Sequence, residues 1–304
     1  MSLSRRRFIA ISAAFAAATP AKATAIHQWR GVALGADASI TLAHADAEAI
    51  VARALREISR LEAIFSLHDP NSALVRLNTA GRLDHPPFEL LECLSTAGAV
   101  HAASGGRFDP TIQPLWALYA EHISAGQMPD AASLATVMGR IGWSRLRIDA
   151  AAIEMQPGMA LSLNGIAQGY IADKVAALLR AEGLHDVLIN TGEFVALGGH
   201  PQGGDWPVSL SDGQTVTPDA VHLRDGALAS SSPHAITFDA SGTVSHILDP
   251  QTGAPAPAHW RLITVTAPTA ALADALSTAC CLMDQDAITA TLAAFPRASL
   301  AFAS

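Results

Sequence analysis

Lysine is almost missing from this chain. Its 304 residues include two, Lys22 and Lys174, and arginine raises the basic total only to 19, against 27 acidic residues. Four of the basic residues, Arg5, Arg6, Arg7 and Lys22, fall in the first 25 positions; without them 15 basic residues face 27 acidic ones, a formal charge of −12. So acidic a chain makes nucleic acid a poor partner. Charged residues of both signs make up 15% and hydrophobic ones 50%, a globular and not a disordered composition. Cysteine is scarce: Cys93, Cys280 and Cys281 make neither a C-x-x-C pair nor an even-numbered framework, and they read as small buried hydrophobes. The 12 histidines lack H-x-x-x-H spacing, and there is no G-x-S-x-G, P-loop or G-x-G-x-x-G. Zinc, α/β-hydrolase and Rossmann readings lose most of their weight with them. The apolar run Phe8–Ala18 is too short to span a bilayer.

What is present begins with a leader. Ser4-Arg5-Arg6-Arg7-Phe8-Ile9 matches the twin-arginine pattern, a modest apolar run follows, and Ala23-Thr24-Ala25 fits a cleavage site. Residues 1–25 are therefore set apart as a twin-arginine signal peptide, with a plain Sec signal or an uncleaved anchor as the alternatives, and 26–304 as the mature domain, exported to the periplasm. With no repeat and no long linker, that domain reads as one unit with two lobes at most. Residues 32–42 suggest a strand pair. Ala45–Phe65 places Ile50, Val51, Leu55, Ile58, Leu61 and Phe65 on one helical face. FSLHDPNSALVRLN leaves this helix through an Asp-Pro turn. Pro87–Ser104 predicts a second helix, 132–141 a short one, and 146–155 a strand pair. Further strands are expected at 206–210, 263–267 and 298–303, a strand running into a Pro/Gly turn over 244–257, and helices at 269–283 and 284–295. The small-residue run 227–232 is either a place where a ligand lies against backbone or a tight strand packed on a neighbour.

The most informative stretch is 161–198, LSLNGIAQGYIADKVAALLRAEGLHDVLINTGEFVALG. It reads as an apolar strand at 160–163, a turn at Asn164-Gly165, a helix from about Ala167 to Glu182, and a strand at 187–190. The helix start offers free N–H groups and a positive dipole end to an anion, and backbone can approach a ligand at Gly165, Gly169 and Gly192. Ordinary βαβ packing explains the same pattern. Asp109, beside Pro110, is a turn former or a ligand contact. Asp274 and Thr278 are four apart on one apolar helix, so their oxygens lie side by side. They suit a hard cation; equally, they suit a helix carboxylate and a threonine bonded back to the preceding turn.

Six blocks in order carry a resemblance: FSLHDPNSALVRLN, GGRFDPTIQPLW, LSLNGIAQGYIADKVAALLRAEG, VLINTGEFVALG, SHILDPQTGAP and TAPTAALADALSTA. Together they resemble the ApbE-type FAD:protein FMN transferases. The resemblance implies an α+β, ApbE-like mixed fold. It implies an enzyme that binds FAD and Mg²⁺, cleaves the pyrophosphate, attaches FMN through its phosphate to a threonine hydroxyl of a partner protein, and releases AMP. The implied partner is a membrane-bound redox protein. Asp274 and Thr278 match the family's metal ligands, with a third ligand at the Gly165 carbonyl. Asp109 and Gln168 match FAD contacts, and Ser72, Ala73, Leu74 and Val75 lie where an FAD-contacting segment is expected. His246 to Asp249, with Leu248 among them, match a block beside the pyrophosphate. His246 is assigned to polarising phosphate or assisting threonine deprotonation, and Asp274 is counted with it as catalytic. Three departures stand out: Gln168 replaces lysine or glutamate, a paired-glycine turn is reduced to Asn190-Thr191-Gly192-Glu193, and T-S-G becomes Ser230-Ser231-Ser232. The leader and opening residues are similar to the branch that matures nitrous oxide reductase. Two other readings share these residues: an Mg²⁺-dependent FAD pyrophosphatase, and a non-enzymatic periplasmic flavin-binding assembly factor.

Overall fold

The computed structural model describes residues 25–33, 35–212, 216–217 and 219–304. The expected leader, apart from Ala25, lies outside the described residues. The chain opens with a hairpin, β1 (His27–Ala33) and β2 (Ala36–Leu42), then α1 (Ala47–Phe65). The six apolar positions expected to share a face on α1 are buried, except for half-buried Leu55. A helix absent from the sequence reading follows, α2 (Ala73–Ala80), started by the Ser72 hydroxyl, which accepts the Val75 N–H at 3.0 Å. Then come β3 (Arg82–Asp84), α3 (Phe88–Ala103), a single 3₁₀ turn at 110–112, α4 (Gln113–Ser124) and α5 (Ala131–Met138). Short strands β4 (Arg147–Ile148) and β5 (Ala152–Glu154) complete a three-stranded sheet with β3.

The second half supplies α6 (Ala167–Ala181), β6 (Val187–Asn190), β7 (Phe194–Leu197), β8 (Trp206–Val208), β9 (Val221–Leu223) and β10 (Gly226–Ser231). It closes with β11 (Ile263–Ala267), α7 (Ala270–Cys280), α8 (Gln285–Ala293) and β12 (Ser299–Ala303). Seven strands make the main sheet in the order β1-β2-β6-β7-β10-β11-β12, antiparallel throughout. This corrects the βαβ expectation: the strand after α6 is antiparallel to both of its neighbours.

Alternation along the inner strands fills two cores. Val187, Ile189, Val195 and Leu197 join the helical core with α1, α3, α6 and α7. Leu188, Phe194 and Leu228 face the other way, onto Trp206 and the β8–β9 ribbon. Both faces being covered, the strands read as continuous apolar runs. The three cysteines sit in the helical core, fully buried and unpaired.

Two expected strands do not form. Residues 160–163 are held by side chains instead of a ladder: the Asn78 amide accepts from Leu161 N at 2.7 Å and donates to Leu161 O at 2.9 Å, and Ser162 N donates to the Pro110 carbonyl. The backbone groups are satisfied without a neighbouring strand. Residues 244–257 fold instead into a looped segment tied by the isolated bridges Thr237–Ser245 and Leu248–Pro255. Leu248 then packs with Leu115 and Tyr119 of α4 in a separate apolar cluster.

Candidate active site

The site is built where α6 crosses α7. Gly169 lets the helices touch, because a Cβ there would collide with the Ala270 carbonyl. The close approach expected at Gly169 is therefore made by backbone of this chain. Asp173, one turn along α6, caps α7: its two oxygens accept from Ala270 N at 2.8 Å and Ala271 N at 2.9 Å. The free N–H groups expected at the start of α6 meet a carboxyl group of this chain, since Gly169 N donates to Asp274 Oδ2 at 3.4 Å. Gly165 lies against Thr278, and a Cβ on it would stand 2.9 Å from Thr278 Oγ1.

Asp274 is 4% exposed and Glu193, at the end of the β6–β7 turn, 7%. Glu193 Oε2 accepts from Ser230 N on β10. Burial pushes the pKa of both carboxyl groups up; the Asp274 charge pushes Glu193 further, while the Gly169 N–H partly offsets the rise at Asp274. Asp173 is raised to about 6 by burial, against the two N–H groups it accepts from. The site is thus a pocket of carboxyl groups that resist ionisation until positive charge arrives.

A cleft of about 800 Å³ opens over this crossing. It gathers Asp109, Gly165, Gln168, His246, Leu248, Asp274 and Thr278 from segments far apart in sequence. It does not gather Ser72, Ala73, Leu74 and Val75. Ser72 and Leu74 are fully buried, and the preceding loop, Ser66 to Asp69, lines the cleft in their place. Asp109 borders the cleft, but its carboxylate is engaged within the chain: Oδ1 accepts from the N–H and hydroxyl of Thr111, and Oδ2 from Trp143 N. Gln168 places its side-chain amide over Gly192, and its backbone carbonyl accepts the Thr191 hydroxyl. His246 Nδ1 lies 2.8 Å from the Ile236 carbonyl, which can only accept, so Nδ1 carries the proton and Nε2 is the acceptor. Burial holds this imidazole below the ordinary histidine pKa. The cleft lining holds five carboxylate side chains, Glu62, Asp69, Asp109, Glu193 and Asp274, and one arginine, Arg107, which is paired with Asp249.

A model of the ApbE family matches residues 34–302. The chain belongs to the ApbE family. It is similar to the FAD:protein FMN transferase of Treponema pallidum, 30% identical with 80% of this chain and 75% of the relative covered. It is also similar to one from Klebsiella pneumoniae, 27% identical over 82% and 74% of the two chains. The ApbE protein of Thermotoga maritima shares the fold with a TM-score of 0.81 at 24% identity, covering 91% of this chain and 93% of that one. The flavin transferase ApbE of Vibrio cholerae superposes with a TM-score of 0.78 at 21% identity, over 91% and 93%.

Within this ApbE fold, three residues missed by sequence reasoning shape the site. Glu193 read as a departure from a glycine pair and Ser231 as part of a run of small residues, while Asp173 was not singled out. Their roles depend on neighbours across the helix crossing and the sheet, which no local spacing encodes. Among the described residues no cluster of three or more His, Cys, Asp or Glu could hold a metal. A cation here must draw on hydroxyl and backbone oxygens.

Proposed function

We propose that this chain transfers FMN from FAD to a threonine hydroxyl of a partner protein, with Mg²⁺, and releases AMP. The observation that carries the reading is the cleft that assembles Gly165, Gln168, His246, Asp274 and Thr278 over the α6–α7 crossing. Its size suits a cofactor-sized ligand. Its charge also speaks for a cation. The lining holds five acidic side chains, and its one arginine is already paired with Asp249, so the positive charge that a pyrophosphate needs must come with the ligand. The donors present fit Mg²⁺: the Asp274 carboxylate, the Thr278 hydroxyl and the Gly165 carbonyl are all hard oxygens, and the Gly165 backbone abuts the Thr278 hydroxyl. When bound, Mg²⁺ supplies charge neutralisation on the phosphates.

The chain's own residues do the rest. The threonine oxygen bonds to the FMN-side phosphorus, and the bridging P–O bond breaks to leave AMP. The threonine proton passes to His246 Nε2, which the Ile236 carbonyl keeps in acceptor form. The open, small-residue wall of Ser230, Ser231 and Ser232 gives an acceptor loop room to enter. Asp109 holds the 110–112 turn at the cleft edge, and Gln168 presents a neutral amide. The acceptor is a membrane-bound redox protein outside the cytoplasm, and residues 1–25 take the 26–304 domain there by the twin-arginine route. Among the described residues no helix is long and apolar enough to cross a membrane.

The test is incubation with FAD, Mg²⁺ and an acceptor flavoprotein, followed by in-gel flavin fluorescence after denaturing electrophoresis. The label should follow the acceptor and vanish when its threonine becomes alanine. Asp274→Ala should abolish the label at every Mg²⁺ concentration, and Thr278→Ala should reduce it less, because Asp274 supplies the one formal charge in the donor set. The same cleft with water in place of threonine would be an FAD pyrophosphatase. Fast FAD cleavage that never labels an acceptor would select that reading.

A further inference from the structure

Three hydroxyls form a line beside the cleft. Thr278 Oγ1 lies 3.2 Å from Ser231 Oγ on β10, Ser231 Oγ lies 2.7 Å from Ser277 Oγ, and Ser277 Oγ lies 3.0 Å from the Asp274 carbonyl oxygen. Each hydroxyl has one proton to give, and a carbonyl has none. Ser277 must therefore donate to the Asp274 carbonyl. Its proton spent, Ser277 can only accept from Ser231, and Ser231 can then only accept from Thr278. A single assignment satisfies all three contacts. Ser277 is fully buried, so water does not compete for its proton.

We infer that Ser231 and Ser277 are positioning residues that fix the direction of the Thr278 hydroxyl. The relay draws the Thr278 proton toward β10 and leaves the Oγ1 lone pairs free on the side where Gly165 abuts them. An oxygen that ligates a cation must present lone pairs, not its proton. Asp274 takes part twice, with its carboxylate at the proposed cation position and its carbonyl at the end of the relay. The threonine of the pair is thus not bonded back to its own preceding turn; Ser277 is the residue that makes that bond. The inference rests on the reading of Asp274, Thr278 and Gly165 as cation ligands. It assigns the strand residue Ser231 to metal affinity although it need not touch the metal.

The experiment measures Mn²⁺ affinity of the whole chain by electron paramagnetic resonance of the free ion, without FAD. Mn²⁺ is a probe that accepts hard oxygen ligands. Ser231→Ala should weaken binding ~10-fold, the usual order for a lost outer partner of a ligand. Ser231→Thr keeps the hydroxyl and should restore parent affinity. Ser277→Ala frees the Ser231 proton to turn toward Thr278 and should also weaken binding. In a Thr278→Val background the Ser231→Ala change should cost nothing further, because its effect runs through that one hydroxyl. Parent-like affinity of Ser231→Ala would overturn the inference, as would an equal loss in the Thr278→Val background, which marks a general structural effect. Should Ser231→Ala fail to fold, as seen by its melting, Ser277→Ala and Ser231→Thr carry the same test. If Asp274→Ala and Thr278→Val bind Mn²⁺ as the parent does, the cation site itself fails, and the relay with it.

Discussion

His246 has its proton placed by one carbonyl. With Nδ1 donating to Ile236 and the pKa held below the ordinary histidine value, the ring is a neutral acceptor at pH 7 and loses that role in acid. His246→Asn should lower the rate of flavin transfer by about 10²–10⁴ and remove the acid limb of its pH profile, read from initial rates of acceptor labelling. A variant that keeps the acid limb would take the base away from His246. Asp274 and Glu193 carry a second residue-scale consequence. Their carboxyl pKa values are raised in the folded chain, so the native state holds protons that the unfolded chain gives up once pH passes the ordinary carboxylate range, about 4. Stability of the metal-free protein should then fall as pH rises from that range toward neutrality and beyond. Glu193→Gln removes one of the two charges and should flatten the fall, and added Mg²⁺ should oppose it. Urea midpoints in chelator at about pH 5 and 8 decide this; an identical fall in Glu193→Gln would refute the coupling. Asp173, raised in the same direction, keeps its own share of the slope in the variant.

Among the elements, the contact of α6 with α7 matters most. Helix propensity alone favours alanine over glycine by about 1 kcal/mol at an interior position such as 169. Tertiary contact reverses the sign, because the new methyl would enter the space of the Ala270 carbonyl. Gly169→Ala should destabilise the fold by roughly 1–3 kcal/mol and also weaken Mn²⁺ binding, because the Gly169 N–H that faces Asp274 moves with the helix. A calorimetric melt beside a Mn²⁺ titration checks both, and a stabilised Gly169→Ala would show that the crossing has slack. Where β10 meets α7, Ser231 bonds the helix through its hydroxyl, whereas Ala229, two residues earlier, packs on Ala273 through its methyl. One strand thus turns from core to site within two residues.

For the whole molecule, the antiparallel sheet separates two tasks. Its helical face carries the crossing and the cleft, and its other face closes over Trp206 and the β8–β9 ribbon. Five of the 27 acidic residues line the cleft beside a single arginine, which ties anion binding there to a cation. The leader belongs to this scale as well. Replacing Arg5 and Arg6 by lysine should leave uncleaved precursor in the cytoplasm, read by fractionation and immunoblot. Normal export of that double variant would exclude the twin-arginine route.

The sequence by itself determined the elements whose signal is local. Strands 187–190 and 263–267 appear at the expected bounds, and α1, α3, α6, α7 and α8 lie within a few residues of expectation. Periodicity and caps act within four residues, so they are legible without a fold. Helix α2 was hidden because it is only eight residues long and follows closely on the Asp69-Pro70 turn signal, and α4 because Pro114 sits in its first turn. Six short blocks also sufficed to indicate the family, and with it Gly165, Gln168, His246, Asp274 and Thr278 as companions. Only the tertiary structure decided that 160–163 would be clasped by Asn78 and not paired as a strand, and that Gly169 would receive a helix backbone. It alone placed Glu193 within electrostatic reach of Asp274, and Ser231 against Thr278. Each of these is a contact between segments dozens of residues apart, formed when the sheet order and the helix crossing bring them together. Packing, and no local preference of the chain, sets that order.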